Sequence, residues 1–531
     1  MMNWRTLCVT GKWPVRRLSL AVAAITCSSS ALALPTVHFD NGLSLQSQVT
    51  VNYTVSARTR SADAEYLKAA SFDDGTRNFD KWGLINNRVS VFGEVIARYE
   101  NFGGVLRASH FYDDVYHHRN KNDSPLTVNK SGNHRKFTSK TKDRSGGEAR
   151  LLDAYVFGNF TIGDSKYLSV KAGRHLLAWG ESLFWPNISQ GQAPVDATKF
   201  NVPGTEAKDA YLPVGQASFN FALNDQFAFT GFWQYKWEEN LLNPVGDFFG
   251  SDFFGPGSEY LRFAPGPLGP TTALSYAGTK KPGDSGQWGV GMRYSPDFNT
   301  EIGLYHYRYH DRNPSLFLGG AHYSSASDVN AAAGTYQFKY LEDIKLTGIS
   351  LSTKIADSVQ IGADLSLRDG AGVTLESDAV TTGKIVQTNL NAVYMIGPSF
   401  LANQTTLMGE LMNERIHSVD TLRISNAVDS SGRAGSKSST LLGIGVIMDY
   451  PSVFQGWDLQ TNATWTQNVD GSGTQGFGRN EKRLTLGGDF TYKQNFSVGA
   501  TWVNFLSSAS IKHNRLMADR DHLAINLKYT F

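Results

Sequence analysis

A chain of 531 residues with 50 basic and 48 acidic side chains lacks the cationic excess of a dedicated nucleic-acid binder. Beyond the N-terminal segment there is no run of 18 apolar residues, which excludes an inner-membrane helical protein. Aromatic residues at 12%, with 22 Tyr, 11 Trp and 52 Gly, leave a β-rich, helix-poor exported chain.

Residues 1–33 read as a secretory signal peptide. Arg16 and Arg17 precede the apolar run Leu18 to Ile25, and Ala31-Leu32-Ala33 is a small-x-small cleavage site. The apolar run is too short to span a bilayer as a mature helix. Both cysteines, Cys8 and Cys27, lie in this segment, and Ile25-Thr26 makes Cys27 a poor lipid acceptor. Its removal takes away Arg5, Lys12, Arg16 and Arg17, leaving 46 basic against 48 acidic residues. A disulfide-free exported chain of this size needs another source of stability, and closing a sheet on itself is one.

From Leu43 the hydropathy alternates. Leu43, Leu45, Val49, Val51, Tyr53, Val55 and Ala57 are separated by polar residues, with Ser47 the one break in the apolar row. A period of two with one apolar and one polar row describes a strand between two different media. Similar runs cover Phe227 to Trp237, Val359 to Leu367, Trp457 to Trp465 and Leu484 to Tyr492. Each is about the length a tilted strand needs to cross a hydrocarbon layer. At the C-terminus Leu523, Ile525, Leu527 and Tyr529 alternate with Asn526, Lys528 and Thr530, and the chain stops at Phe531. Such an ending resembles the closing strand of bacterial outer-membrane barrels, where it also engages the barrel-assembly machinery.

Eight connections read as tight turns, around 100–103, 163–165, 224–225, 296–299, 356–358, 397–399, 450–452 and 493–495. Nine long polar or Gly-rich stretches separate them: 59–83, 112–148, 176–215, 238–286, 310–334, 369–384, 418–438, 468–481 and 507–521. Soluble β-sandwiches bury one strand face too, but do not alternate short with long loops; transmembrane barrels do. Eight turns join sixteen strands, and the first and last strands make eighteen. The expected fold is therefore an all-β transmembrane antiparallel β-barrel. Sixteen strands stay possible, because Tyr336 to Ile355 reads as one long strand or a bent pair. One closed sheet makes residues 34–531 a single domain.

The stretch from Gly173 and Arg174 through Trp179-Gly180-Glu181-Ser182 to Phe184 is distinctive, as are Pro194-Val195-Asp196 and Val202-Pro203-Gly204. With Glu206, Lys208, Leu212-Pro213-Val214, Tyr235-x-Trp237 and the Phe-rich stretch 248–257, it resembles the Gram-negative exported family known as domain of unknown function 1302. The resemblance covers nearly the whole mature chain and is densest over 170–257. It implies an outer-membrane protein, often encoded near lipid-type exporters or hydrophobic-compound catabolism loci. It carries no catalytic residue to transfer.

Three loops attract attention on their own residues. Segment 176–215 leaves a strand at Arg174 and holds Trp179, Phe184, Trp185 and Phe200 among Glu181, Asp196, Glu206 and Lys208. A surface loop has no need of so many large apolar groups, so the segment is expected to fold inward as a constriction or plug. The plainer reading is a packed buttress with Arg174–Glu181 or Lys208–Glu206 pairs. In loop 238–286, Asp247-Phe248-Phe249-Gly250 recurs as Asp252-Phe253-Phe254-Gly255. Four such rings are costly to expose, at about 25 cal/mol per Å². They form either a hydrophobic vestibule or a knot that closes the mouth. Loop 112–148 carries Arg119, Arg135, Lys136 and Lys140 among other cations, which suits the phosphates of lipopolysaccharide or simply a solvated loop. His117, His118 and His134 lack the spacing of a closed metal site, and neither metal nor cofactor is expected.

There is no Gly-x-Ser-x-Gly elbow, His-Glu-x-x-His or phosphate loop, and Ser182 has no identifiable base. The expected function is a non-enzymatic outer-membrane barrel that passes or exports hydrophobic or amphipathic small molecules. The alternative is a surface, adhesive or structural barrel that transports nothing.

Overall fold

The alternating runs close on one another. The computed structural model describes residues 36–199, 202, 210–262, 273–318, 334–375, 380–420, 423–424, 427–428, 436–473 and 478–531. The expected signal segment 1–33 and the candidates Phe200, Glu206 and Lys208 lie outside the described residues.

The first strands of the barrel are β1 Ser44–Arg58, β2 Leu84–Tyr99, β3 Phe102–Asp113, β4 Gly147–Ile162, β5 Lys166–His175 and β6 Val214–Ala222. They are followed by β7 Phe227–Gln234, β8 Gln287–Asp297, β9 Thr300–Tyr309, β10 Ile344–Ala356, β11 Val359–Thr374 and β12 Val380–Ile396. The wall is completed by β13 Gln404–Val419, β14 Ser438–Phe454, β15 Trp457–Gly471, β16 Lys482–Tyr492, β17 Phe496–Phe505 and β18 His522–Thr530. Each pairs antiparallel with the next. β1 pairs with β18 from Thr50↔Thr530 to Arg58↔His522, so the sheet has no free edge.

Eighteen is therefore the strand number, and the sixteen-strand option falls. The stretch after Tyr336 is two elements, a short strand Thr335–Lys339 and β10, parted near Asp343, which takes φ +65°. The short strand joins Ser315–Leu318, Ala273–Lys280 and Tyr260–Arg262 in a separate four-stranded sheet among the long loops. Seven of the eight turns lie where the sequence puts them; the eighth falls at Gln455-Gly456, because Tyr450-Pro451-Ser452 stays within β14, where its pairing with β15 is irregular. Stretch 369–384 is not an open loop: β11 and β12 keep pairing through Asp369↔Lys384 to Thr374↔Val380. The alternation there continues as Ala371, Val373 and Leu375, all buried, because Leu341 from the neighbouring loop packs on the first two.

The two faces of the wall meet different solvents. Val156, Leu390 and Ile525 point outward and are 64%, 52% and 52% exposed, far too open for apolar groups of a folded protein in water. Inward positions of the same strands are polar, as Asp153, Asn389 and Asn526 show. Apolar outside and polar inside is the arrangement of a barrel set in lipid.

Candidate functional site

The segment after β5 enters the barrel and is held there by its backbone. Gly180 takes φ +91°, and a Cβ on it would lie 2.7 Å from Asp364 Oδ2, so only glycine brings the chain this close to the wall. Successive amides then face two carboxylates. The Glu181 N–H donates to Asp364 Oδ1 (2.9 Å) and the Ser182 N–H to Asp364 Oδ2 (3.1 Å). The Leu183, Phe184 (2.8 Å) and Trp185 (3.4 Å) N–H groups donate to Glu410. Such a row of N–H groups is an anion-binding concavity, filled here by the barrel's own side chains on β11 and β13.

Polar inward residues of β12 continue the seat. Asn389 Nδ2 donates to the Trp185 carbonyl (2.9 Å), Gln387 Nε2 to that of Pro186 (3.0 Å), and Asn391 Nδ2 to that of Glu181 (2.7 Å). Asn187 Nδ2 reaches Asn389 Oδ1 at 3.0 Å. Ring packing adds to this. Trp179 is buried and stacks on Tyr305 (5.2 Å between ring centres), with Phe232 at the same distance. Trp185 packs on Met412 and Leu441, and Phe184 lies over Gly443, where any Cβ would meet its ring at 3.0 Å.

Farther along, the segment returns toward its own end of the barrel. Val195 bridges to Tyr211, and the Ala197 N–H donates to the Leu241 carbonyl at 2.8 Å. Asp196 is buried and closes a local turn, accepting from the Thr198 N–H (3.1 Å) and hydroxyl (2.6 Å), so it is not a charge lining the lumen. Arg174 does not pair with Glu181. Its guanidinium instead holds Glu238 of the following loop, with Nη2 3.1 Å from Oε2, and donates to the Pro213 carbonyl at 2.9 Å. The segment travels across the lumen before Glu181, which carries that residue out of reach. Asp364, Glu410, Asn389 and Gln387 were not singled out from the sequence. The signal available was their inward place in the alternation, Asp364 falling between Ala363 and Leu365.

Because the segment leans on β9 to β14, space is left against β15 to β18. One cavity of about 610 Å³ is bounded by Phe184, Trp185, Phe249 and Phe505 and by Glu481 and Arg483. A second, of about 790 Å³, lies nearer the short turns and is polar, with Asp449, Gln460, Asn462, Asp489 and Lys528 in its lining. They follow one another along β16: Arg483 and Thr485 face the first, Asp489 and Thr491 the second. In the first cavity Phe184 and Trp185 of the segment thus lie across from Arg483 and Thr485 of the wall, with Phe505 beside Arg483.

The four phenylalanines divide in two. Phe248 is fully buried with Phe79 (5.3 Å between ring centres), Ile85, Tyr116 and Phe137, while Phe249 meets His522 at 5.3 Å. Phe253 and Phe254 lie against Tyr336 and Phe338 of the four-stranded sheet. Replacing Phe248 by Ala is expected to destabilise this loop packing by about 3–5 kcal/mol. Chymotrypsin cleavage in loop 238–286 should then speed up at least about a hundredfold with the barrel intact, each tenfold being about 1.4 kcal/mol. Unchanged cleavage would show that the cluster does not close the loops. Arg119, Arg135, Lys136 and Lys140 are all exposed on their loop. His117 and His118 have separate partners, the Gly146 carbonyl (2.9 Å) and Asp114 (3.1 Å).

A closed wall of eighteen strands, apolar without and polar within, and crossed by a docked segment, defines a transmembrane β-barrel with a narrowed lumen. The chain belongs to the family described as protein of unknown function DUF1302, whose model matches residues 15–531. No curated protein matches the sequence. Among solved structures the chain is similar to OccAB1 of Acinetobacter baumannii, at 9% identity and a TM-score of 0.44 over 92% of this chain and 96% of that one. It is also similar to the outer membrane channel DcaP of Acinetobacter baumannii, at 9% identity and 0.36 over 94% and 100%. A third is OpdK of Pseudomonas aeruginosa, solved with vanillate, at 9% identity and 0.41 over 92% and 98%.

Proposed function

We propose that this barrel sits in the outer membrane, long loops outward, and passes small hydrophobic or amphipathic molecules passively. The observation that carries this reading is the unequal lining of the space beside the docked segment: Phe184 and Trp185 on the segment's side, and on the wall's side Glu481 and Arg483, with Phe505 paired beside Arg483 on the next strand. A solute with one apolar face recovers about 25 cal/mol per Å² on the aromatic side while its polar end stays solvated. An unselective water-filled pore has no use for that aromatic wall. The exposed cations of loop 112–148 would rest on lipopolysaccharide phosphates, and β18 with Phe531 would engage the assembly machinery.

The test is single-channel recording in planar bilayers with solutes added to one side. Small discrete conductances are expected, blocked at lower concentration by a medium-chain carboxylate than by a sugar of equal size. Equal block by the two would remove the amphipathic preference, and no conductance in correctly inserted protein would remove the channel.

A further inference from the structure

Away from the lumen, three carboxylates converge among the long loops. Asp73 and Asp74 sit at the start of a single helical turn, Asp74–Arg77, in the loop after β1, and Asp252 comes from the loop after β7. They are 0%, 5% and 3% exposed, and one oxygen from each lies within 4.8 Å of the others. Their compensation is uneven. Asp73 Oδ2 accepts from Arg77 Nε (2.6 Å) and the Thr127 hydroxyl (2.7 Å). Among the described residues, Asp252 accepts only the N–H groups of Asp74 (2.8 Å) and Gly75 (3.1 Å). Asp74 accepts from Asn122 Nδ2 (3.3 Å) and from the Asn129 N–H (2.9 Å). Of the other cations nearby, Lys130 donates to the Asn133 carbonyl at 2.5 Å and Arg520 to Asp519 at 2.7 Å and the Thr76 hydroxyl at 2.9 Å; among the described residues no ion pair reaches Asp74 or Asp252. Two buried carboxylates therefore face each other with neutral donors alone, an arrangement that is strongly unfavourable without a compensating cation.

A second, independent feature points to the same spot. Asp74 and Asp252 line a small cavity of about 10 Å³ with Asn78 and Asn120. That is about the room one water or a small ion occupies. Asn78 is 5% exposed, and its Nδ2 donates to the Gly246 carbonyl at 2.7 Å, yet its Oδ1 has no partner. Asp73 Oδ1, fully buried, has none either. Buried oxygens without donors are rare in folded proteins and call for an explanation.

We propose that Asp73 Oδ1, Asp74, Asp252 and Asn78 Oδ1 bind one calcium ion, which fastens the loops after β1 and β7 together over the mouth of the barrel. The donors are all hard oxygens, with no nitrogen or sulfur, which selects the alkaline-earth cations over zinc or copper. They come from two loops in irregular array, which calcium tolerates and the octahedral demand of magnesium does not. Asp74 Oδ1 and both oxygens of Asp252 accept one N–H each and keep a lone pair, and Asp73 Oδ1 accepts none, so the existing bonds need not break. Water completes the shell.

The experiment uses the full-length barrel in detergent, stripped with EDTA, desalted and dialysed against radioactive calcium ion alone. One calcium per chain is expected to bind, with a Kd of about 0.1–1 mM, the range of extracellular modules. Asp252→Asn and Asp74→Asn should weaken it at least tenfold, and Asp123→Asn, on the exposed partner of Arg77, should leave it unchanged. Calcium should also slow proteolysis of the loop after β7 in the wild type and not in Asp252→Asn. Retained heat-modifiable migration on gels shows that each barrel is still folded. The proposal is overturned if the folded, stripped wild type takes up no stoichiometric calcium, prefers magnesium, or is matched in affinity by the folded Asp252→Asn protein. The wild-type measurement decides the matter even if a variant fails to assemble.

Discussion

The Asp364→Ala/Glu410→Ala double variant is expected to conduct several-fold more current per channel than the wild type. Five consecutive amides, from Glu181 to Trp185, end on these two carboxylates. A hydrogen bond to a charged group contributes about 1.5–3 kcal/mol, and losing all five would shift the docked-to-undocked balance by several powers of ten. Trp179 keeps its seat on Tyr305 and Phe232, so what comes loose is 181–187, the part that borders the open passage. An eighteen-strand wall is wide enough to hold an aqueous channel once that part leaves. Gly180→Ala should act in the same direction, since its methyl group would push against Asp364 at 2.7 Å. Single-channel recording checks both. A double variant with wild-type conductance would show that the segment does not limit flow.

The largest effect on assembly is expected at Gly173. It lies in β5 opposite Tyr155 of β4, with φ +125°, where a side chain is strained by about 1–3 kcal/mol. A Cβ there would also collide with the Ala154 carbonyl oxygen and come within 2.7 Å of the Tyr155 Cα. Those atoms belong to the neighbouring backbone and cannot swing aside as a side-chain tip can. Gly173→Val must therefore push β4 and β5 apart just before Arg174 turns inward to Glu238. Little or none of the variant should reach the heat-modifiable folded form on gels. Gly93→Ala in β2 is the control, since its added methyl meets nothing within 4 Å, and it should fold at wild-type yield. Normal assembly of Gly173→Val would mean that the wall is far more pliable there than its packing implies.

The wall was largely legible because period-two hydropathy needs no knowledge of distant contacts. Leu523 and Ile525 read as outward and are, while Asn526 reads as inward and is buried. The turns were legible for the same local reason, except that Pro451 marks an irregularity within β14 and not the turn that follows it. The strand number needed one non-local fact, that Asp343 ends one element and begins another. Inward bending of the segment after Arg174 was legible from its aromatic load, but the way it is held was not. Glu181 and Asp364 are 183 positions apart, and Phe184 and Glu410 are 226 apart. Alternation says that both acids face inward, yet many polar groups do, and none advertises which loop it will meet. Arg174 was paired in expectation with a carboxylate of its own loop and found one on the next, because charge alone does not fix reach. The acidic cluster of Asp73, Asp74 and Asp252 escaped for a similar reason, as two loops widely separated in sequence supply it.

The pairing of β1 with β18 joins Thr50 to Thr530, so the first and last strands of the wall are stitched into a single seam. Contacts so remote in sequence are the slowest to form, because the intervening chain must be gathered first. Until then the growing sheet has two raw borders, each able to recruit a stray strand. A molecule lacking His522 to Phe531 would remain in that vulnerable state however well its other seventeen strands were made.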